Sequence, residues 1–161
     1  MDTYRQLLSL TTATQENALT EAERDEFLGR QLVGRLATNR EDGWWHVTPI
    51  WYIWEDGRFY ISLGNNRRHL KNLRRDSHVT LCVDVDPRLE DPSQAPRAVV
   101  CFGRAELLED EVSVRTITEK LEIHYIGAIL PELHEAIWFQ GRTAVAITPV
   151  RWLTWDQGKG R

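Results

Sequence analysis

Hydrophobic and polar positions alternate along much of the chain, in short runs broken by glycine turns. Residues 58–63 set Phe59 and Ile61 against Tyr60 and Ser62, the two-residue period of a half-buried strand. Residues 31–39, QLVGRLATN, form a first predicted strand, and residues 44–54 a long second one. The turns between them, Asp42-Gly43 and Asp56-Gly57, are strong hairpin signals, because both positions tolerate positive φ. Two such hairpins in succession predict an antiparallel meander, the start of a barrel or sandwich. Pro49 lies inside the second strand. It cannot donate to a ladder, so it calls for an edge, a bulge or an opening of the barrel.

The pattern continues with a fourth strand over 77–84 and a proline-containing loop over 86–96. A fifth strand over 97–107 has Gly103 as a bend, and the last two strands cover 143–148 and 150–155. The period changes in three places. Thr20 and Glu23 have capping-box spacing and open a short helix that Gly29 ends. Val112, Ile117, Leu121 and Tyr125 recur at roughly helical spacing over 109–125, and Pro131 opens a shorter helix over 131–138. The expectation is one mostly β domain over 20–156, a β-barrel with peripheral helices. It is preceded by an N-terminal arm (1–19) and followed by a polar tail (157–161).

A fourth helical stretch carries chemistry. Gly64-Asn65-Asn66 reads as a turn, with Asn65 or Asn66 positioned to cap a helix. Residues 67–75 then hold five basic side chains, Arg67, Arg68, Lys71, Arg74 and Arg75, with Leu70 and Leu73 directed to the core. Cations suit the last turn of a helix, where Arg74 and Arg75 stand. Arg67 and Arg68 in the first turn oppose the dipole. With the Ser62 hydroxyl and the free N–H groups of a helix start, they suggest a site for a phosphate or carboxylate. The alternative is a solvated basic face.

Composition narrows the choices. The chain has 161 residues, 42% hydrophobic and 27% charged, which fits a globular domain. A net charge of −4 sets the local basic cluster against an acidic background and argues against nucleic acid as partner. No apolar run is long enough to span a bilayer, and the first residues lack the pattern of a signal peptide, so a cytoplasmic location with no membrane partner is expected. Cys82 and Cys101 lie in apolar runs and read as buried, reduced thiols. Four of the seven tryptophans, Trp44, Trp45, Trp51 and Trp54, crowd one strand, which suits a core, a flat ligand or a subunit interface.

Familiar catalytic motifs are missing. There is no GxGxxG, no Walker loop, no GxSxG, no HExxH and no CxxC pair, and no metal site is expected. His46 reads either as an edge residue or as a neighbour of a ligand, and His69 as a packing or solvated one. No side chain stands out as nucleophile or general base. Chemistry carried by a bound cofactor is consistent with that pattern.

The order of these segments resembles the pyridoxamine 5′-phosphate oxidase-like family of flavin-binding split β-barrels. The residues that carry the likeness are VGRLAT, HVTPIWYIW, RFYISLG and above all NNRRHLKNLRRDSHVTL. The resemblance implies an FMN-binding split barrel, homodimeric, with cofactor sites at the subunit interface. It implies FMN or the deazaflavin coenzyme F420 as cofactor. Ser62, Arg67 and Arg68 would hold its phosphate, with Lys71 as a further contact. Thr48, Pro49, Ile50 and Trp51 would line its ring, and Trp155, next to Asp156 at the end of the last strand, would reach in from the partner. The VTP strand and the Trp155-Asp156 ending lean to F420, whose acidic tail would be drawn to Arg74 or Arg75. The implied activity is hydride transfer between the cofactor and a small conjugated or aromatic substrate. Two alternatives remain: a non-catalytic binder of a cofactor or tetrapyrrole, and a basic interaction module. The C-terminal arginine and histidine pattern of pyridoxamine phosphate oxidase itself is not found.

Overall fold

A computed structural model describes residues 14–135 and 141–159. Helix α1 (Glu21–Leu28) is followed by strands β1 (Gly34–Asn39), β2 (Trp45–Ile50), β3 (Ile53–Glu55) and β4 (Arg58–Gly64). Helix α2 (Arg68–Arg75), β5 (His78–Val85), β6 (Arg97–Leu108), helix α3 (Glu111–Ile126), a single helical turn (Pro131–Leu133) and β7 (Arg142–Asp156) complete the order. The strands make one antiparallel sheet in the order β2-β1-β5-β6-β7-β4-β3.

The two edges of that sheet are consecutive in the chain. Only Trp51 and Tyr52 separate β2, paired with β1, from β3, paired with β4. From Ile50 to Ile53 the backbone reaches at most roughly 11 Å. The sheet must therefore curl until its edges nearly meet, which makes it a barrel split between β2 and β3. This corrects the expectation of one long strand over 44–54. A single straight strand cannot serve both edges, so it breaks where Tyr52 turns into the core, fully buried. Pro49 occupies edge strand β2, where its missing N–H breaks no outer ladder.

Alternation fills the inside. In β4 Phe59, Ile61 and Leu63 are buried while Tyr60, Ser62 and Gly64 are only partly so. They meet Leu36, Leu81, Val99, Val145 and Ile147, and α1 adds Phe27 and Leu28. The capping box of α1 forms as its sequence predicts. The expected last two strands are a single one. Pro149 faces Gly103 where the β6–β7 register shifts, so the proline falls at a bulge and the ladder continues past it.

The outer face carries the helices. On α3, Val114, Ile117 and Leu121 pack with Ala144 against Tyr60 and Trp51, a second small core outside the barrel. On α2, Leu70 and Leu73 are buried, and the Asn72 amide donates to the Thr38 hydroxyl at 3.0 Å, tying the helix to β1. The N-cap of α2 is Arg67, without a side-chain cap. The expected asparagine cap does not form: the Asn65 side-chain oxygen accepts from the Thr143 hydroxyl at 2.8 Å, and the Asn65 N–H donates to the Gly141 carbonyl at 2.6 Å. Asn65 thus joins the turn to β7 instead.

Both ends of the described chain dock together. The Leu19 N–H donates to the Thr154 hydroxyl at 3.0 Å, and Lys159 pairs with Glu23. Residues 1–13 of the expected arm, 136–138 of the helix expected over 131–138, and 160–161 of the expected tail lie outside the described residues.

Candidate functional site

At the split, the outer face of β4, the β2–β3 link and the start of α2 surround a cleft of about 480 Å³. Its apolar wall comes from Pro49, Ile50 and Trp51 with Val33 and Leu121, and its polar floor from Ser62, Gly64 and Arg142. The indole of Trp51 is held in place. It stacks on the Tyr125 ring of α3 at 4.7 Å between centroids and 4° between planes. The Tyr125 hydroxyl donates to the Leu32 carbonyl at 2.5 Å and accepts the Tyr52 N–H at 3.2 Å. One tyrosine therefore fixes both the aromatic wall and the link that makes the split.

A groove of about 1030 Å³ adjoins the cleft. Arg67 and His69 border both cavities, while Thr48, Arg68, Lys71 and Arg74 line the groove and not the cleft. The cations divide into two sets. Arg74 pairs with Glu109 at 2.6 Å, and Arg75 donates to the Asn39 carbonyl at 2.7 Å, so both brace the helix. The side chains of Arg67, Arg68 and Lys71 form no ion pair with any described residue. Three such cations at the positive end of a helix repel one another and the dipole, and an anion relieves both.

The site residues expected from sequence separate by place. Pro49, Ile50, Trp51 and Ser62 are in the cleft, Thr48, Arg68 and Lys71 in the groove, and Arg67 at their junction. Trp155 is in neither. It pairs with Ala98 at the far end of β7, whereas Ser62 pairs with Ala144. From Ala144 to Trp155 the strand runs roughly 36 Å at about 3.3 Å per residue.

Two residues in the site had no sequence signal of their own. Arg142 opens β7 opposite Gly64 and reaches back across β4, donating to the Ser62 hydroxyl at 2.8 Å and to the Ser62 carbonyl at 2.6 Å. Burial, and then Arg67, hold its guanidinium below the ordinary arginine value. Ser62 is thus already engaged, with Arg142 and with the Thr118 hydroxyl at 3.2 Å, and it positions the arginine at the cleft floor. Only the β4–β7 register reveals this. His69, expected to pack or be solvated, is 8% exposed and borders both cavities, and neither ring nitrogen has a hydrogen-bond partner among the described residues. Burial, then His46, Arg67 and Arg142, push its pKa down to about 4.

A flat ring fits an apolar cleft of this volume, within the roughly 300–1,000 Å³ range of small-molecule sites, and an attached anionic group fits the groove. The fold and the site together define a split barrel whose largely apolar cleft adjoins a basic groove. Residues 20–156 match the family model described as Pyridoxamine 5′-phosphate oxidase, and the chain belongs to that family. Among solved structures it resembles a conserved hypothetical protein from Mycobacterium tuberculosis, at 26% identity and TM-score 0.78, over 91% of each chain. It also resembles an F420 reductase, at 24% identity and TM-score 0.63, over 80% of this chain and 94% of that one. A heme storage protein from Vibrio cholerae is similar at 16% identity and TM-score 0.65, over 84% of this chain and 94% of that one. No curated protein matches the sequence.

Proposed function

We propose that the protein is an oxidoreductase that binds FMN or coenzyme F420 and transfers hydride between the cofactor and a small conjugated or aromatic substrate. The observation that carries this reading is the continuity of the two cavities. An apolar cleft with a pinned tryptophan opens, past Arg67 and His69, into a groove with three cations that lack carboxylate partners among the described residues. Trp51 and Ile50 orient the ring, and Arg67, Arg68 and Lys71 hold the phosphate. Arg142, held by Ser62, adds positive charge at the cleft floor. The bound isoalloxazine or deazaflavin ring supplies the hydride chemistry. The chain's residues supply position, charge and exclusion of water. The volume of the groove and the resemblance to an F420 reductase favour F420 over FMN.

The acting unit is a homodimer with its cofactor sites at the interface. Trp44, just before edge strand β2, and Trp45 and Val47 on it are exposed for a partner to cover. Trp155 then serves the site of the other subunit. A non-catalytic binder is the second reading, favoured by the likeness to a heme storage protein. The test is titration of the purified protein with FMN and F420 in parallel, then mixing with the reduced cofactor and a panel of conjugated acceptors. Binding with hydride transfer is expected. Binding without turnover on any acceptor makes it a carrier, and binding of neither cofactor overturns the proposal.

A further inference from the structure

His69 stands at the junction of cleft and groove, where a ring and its anionic group would meet. It comes from the first turn of α2, its side chain more than nine-tenths buried, and both ring nitrogens lack partners among the described residues. Buried polar atoms are rarely left unsatisfied, so an imidazole in this state fits a position that a ligand completes. Three groups face it from three elements. His46 of β2 lies 5.7 Å away between ring centroids, Arg67 is at the helix cap, and Arg142 comes from β7. No carboxylate is among the described residues lining either cavity.

We propose that His69 binds the anionic group of the cofactor directly and takes up a proton from solvent as that group docks. This rests on the proposed cofactor reading and adds a residue and a proton to it. The cause is electrostatic. With Arg67 and Arg142 beside it and little water around it, the imidazole stays neutral. An anion placed between them cancels the positive field and accepts the new N–H donor, which favours the imidazolium. Ligand binding and protonation then favour one another.

Two measurements test this on the full chain. The first follows the His69 ring by NMR during pH titration, with and without saturating FMN or F420. The free imidazole is expected to titrate near pH 4 and the bound one at least one pH unit higher. The second compares wild type with His69→Gln by calorimetry in buffers of different ionisation enthalpy. The difference between them removes the ligand's own titration. Wild type is expected to take up a fraction of a proton more than the variant between pH 5 and pH 7. If the bound imidazole titrates near pH 6, wild-type affinity gains about tenfold over the variant from pH 8 to pH 5. A bound His69 that stays neutral down to pH 4, or equal proton uptake in both proteins, overturns the inference and leaves the cofactor site standing. Binding of neither cofactor at any pH overturns the function reading and this inference with it.

Discussion

Arg67 borders both cavities, caps α2 through its backbone and has no carboxylate partner among the described residues, and His69 two positions on is buried with neither ring nitrogen hydrogen-bonded among them. The two residues show how one short stretch serves binding rather than stability. The histidine has a cost that pH reveals. In the folded protein its imidazole stays neutral to about pH 4, whereas in the unfolded chain it titrates near 6.5. Between those values the unfolded state binds the extra proton, so stability falls as pH falls. Its steepest contribution is about 1.4 kcal/mol per pH unit, and above pH 6.5 it vanishes. Urea denaturation of the ligand-free protein at pH 7 and pH 5 is expected to show this drop, and His69→Gln to reduce it. An equal drop in the variant would assign the effect to other groups. The basic residues around Arg67 were legible in sequence, because cations in a first turn contradict the helix dipole. The roles of His69 and Arg142 were not, because each depends on neighbours brought in by other strands.

At the scale of elements, two contacts hold the split in shape. Tyr125 of α3 stacks on Trp51 and bonds the backbone on both sides of the opening, at Leu32 and Tyr52. Tyr125→Phe keeps the stacking ring and frees a buried N–H and a carbonyl. It is expected to cost about 1–3 kcal/mol and to weaken cofactor binding through a less fixed Trp51. Thermal melts and titration would check both effects, and unchanged values in both would remove Tyr125 from the account. On the opposite side, Gly103 permits the bulge that absorbs Pro149. A Cβ there would lie 2.8 Å from Ile147 Cγ2 and 2.9 Å from the Thr148 carbonyl oxygen. Gly103→Ala should therefore destabilise by about 1–3 kcal/mol in chemical denaturation, with cofactor affinity retained once folded. The sequence marked Gly103 as a bend. It split β7 at Pro149, because a single chain does not show that the proline's missing N–H falls where the ladder is already interrupted.

At the scale of the whole molecule, the strand alternation and Asp-Gly turns made a β-barrel legible, and the family likeness gave it the right class. The break at Trp51-Tyr52 was not legible. It is set by barrel closure, which brings two sheet edges to one two-residue link. A barrel split in this way leaves apolar surface at the start of β2, with Trp44 just before it 76% and Trp45 61% exposed. Analytical ultracentrifugation at micromolar concentration is expected to find a dimer, and Trp45→Lys with Val47→Lys to shift it toward monomer. A wild-type monomer would contradict a shared site and any role for Trp155 in it. Among the described residues no helix is long and apolar enough to cross a membrane.

The central claim is that the cleft and the groove hold one cofactor, ring in the first and anion in the second. The most direct test titrates FMN and F420 into wild type and into Arg67→Glu with Arg68→Glu, with circular dichroism confirming that both are folded. The account predicts saturable binding to wild type and a loss of a hundredfold or more in the charge-reversed protein, about 3 kcal/mol. Equal affinity in the two proteins would contradict it.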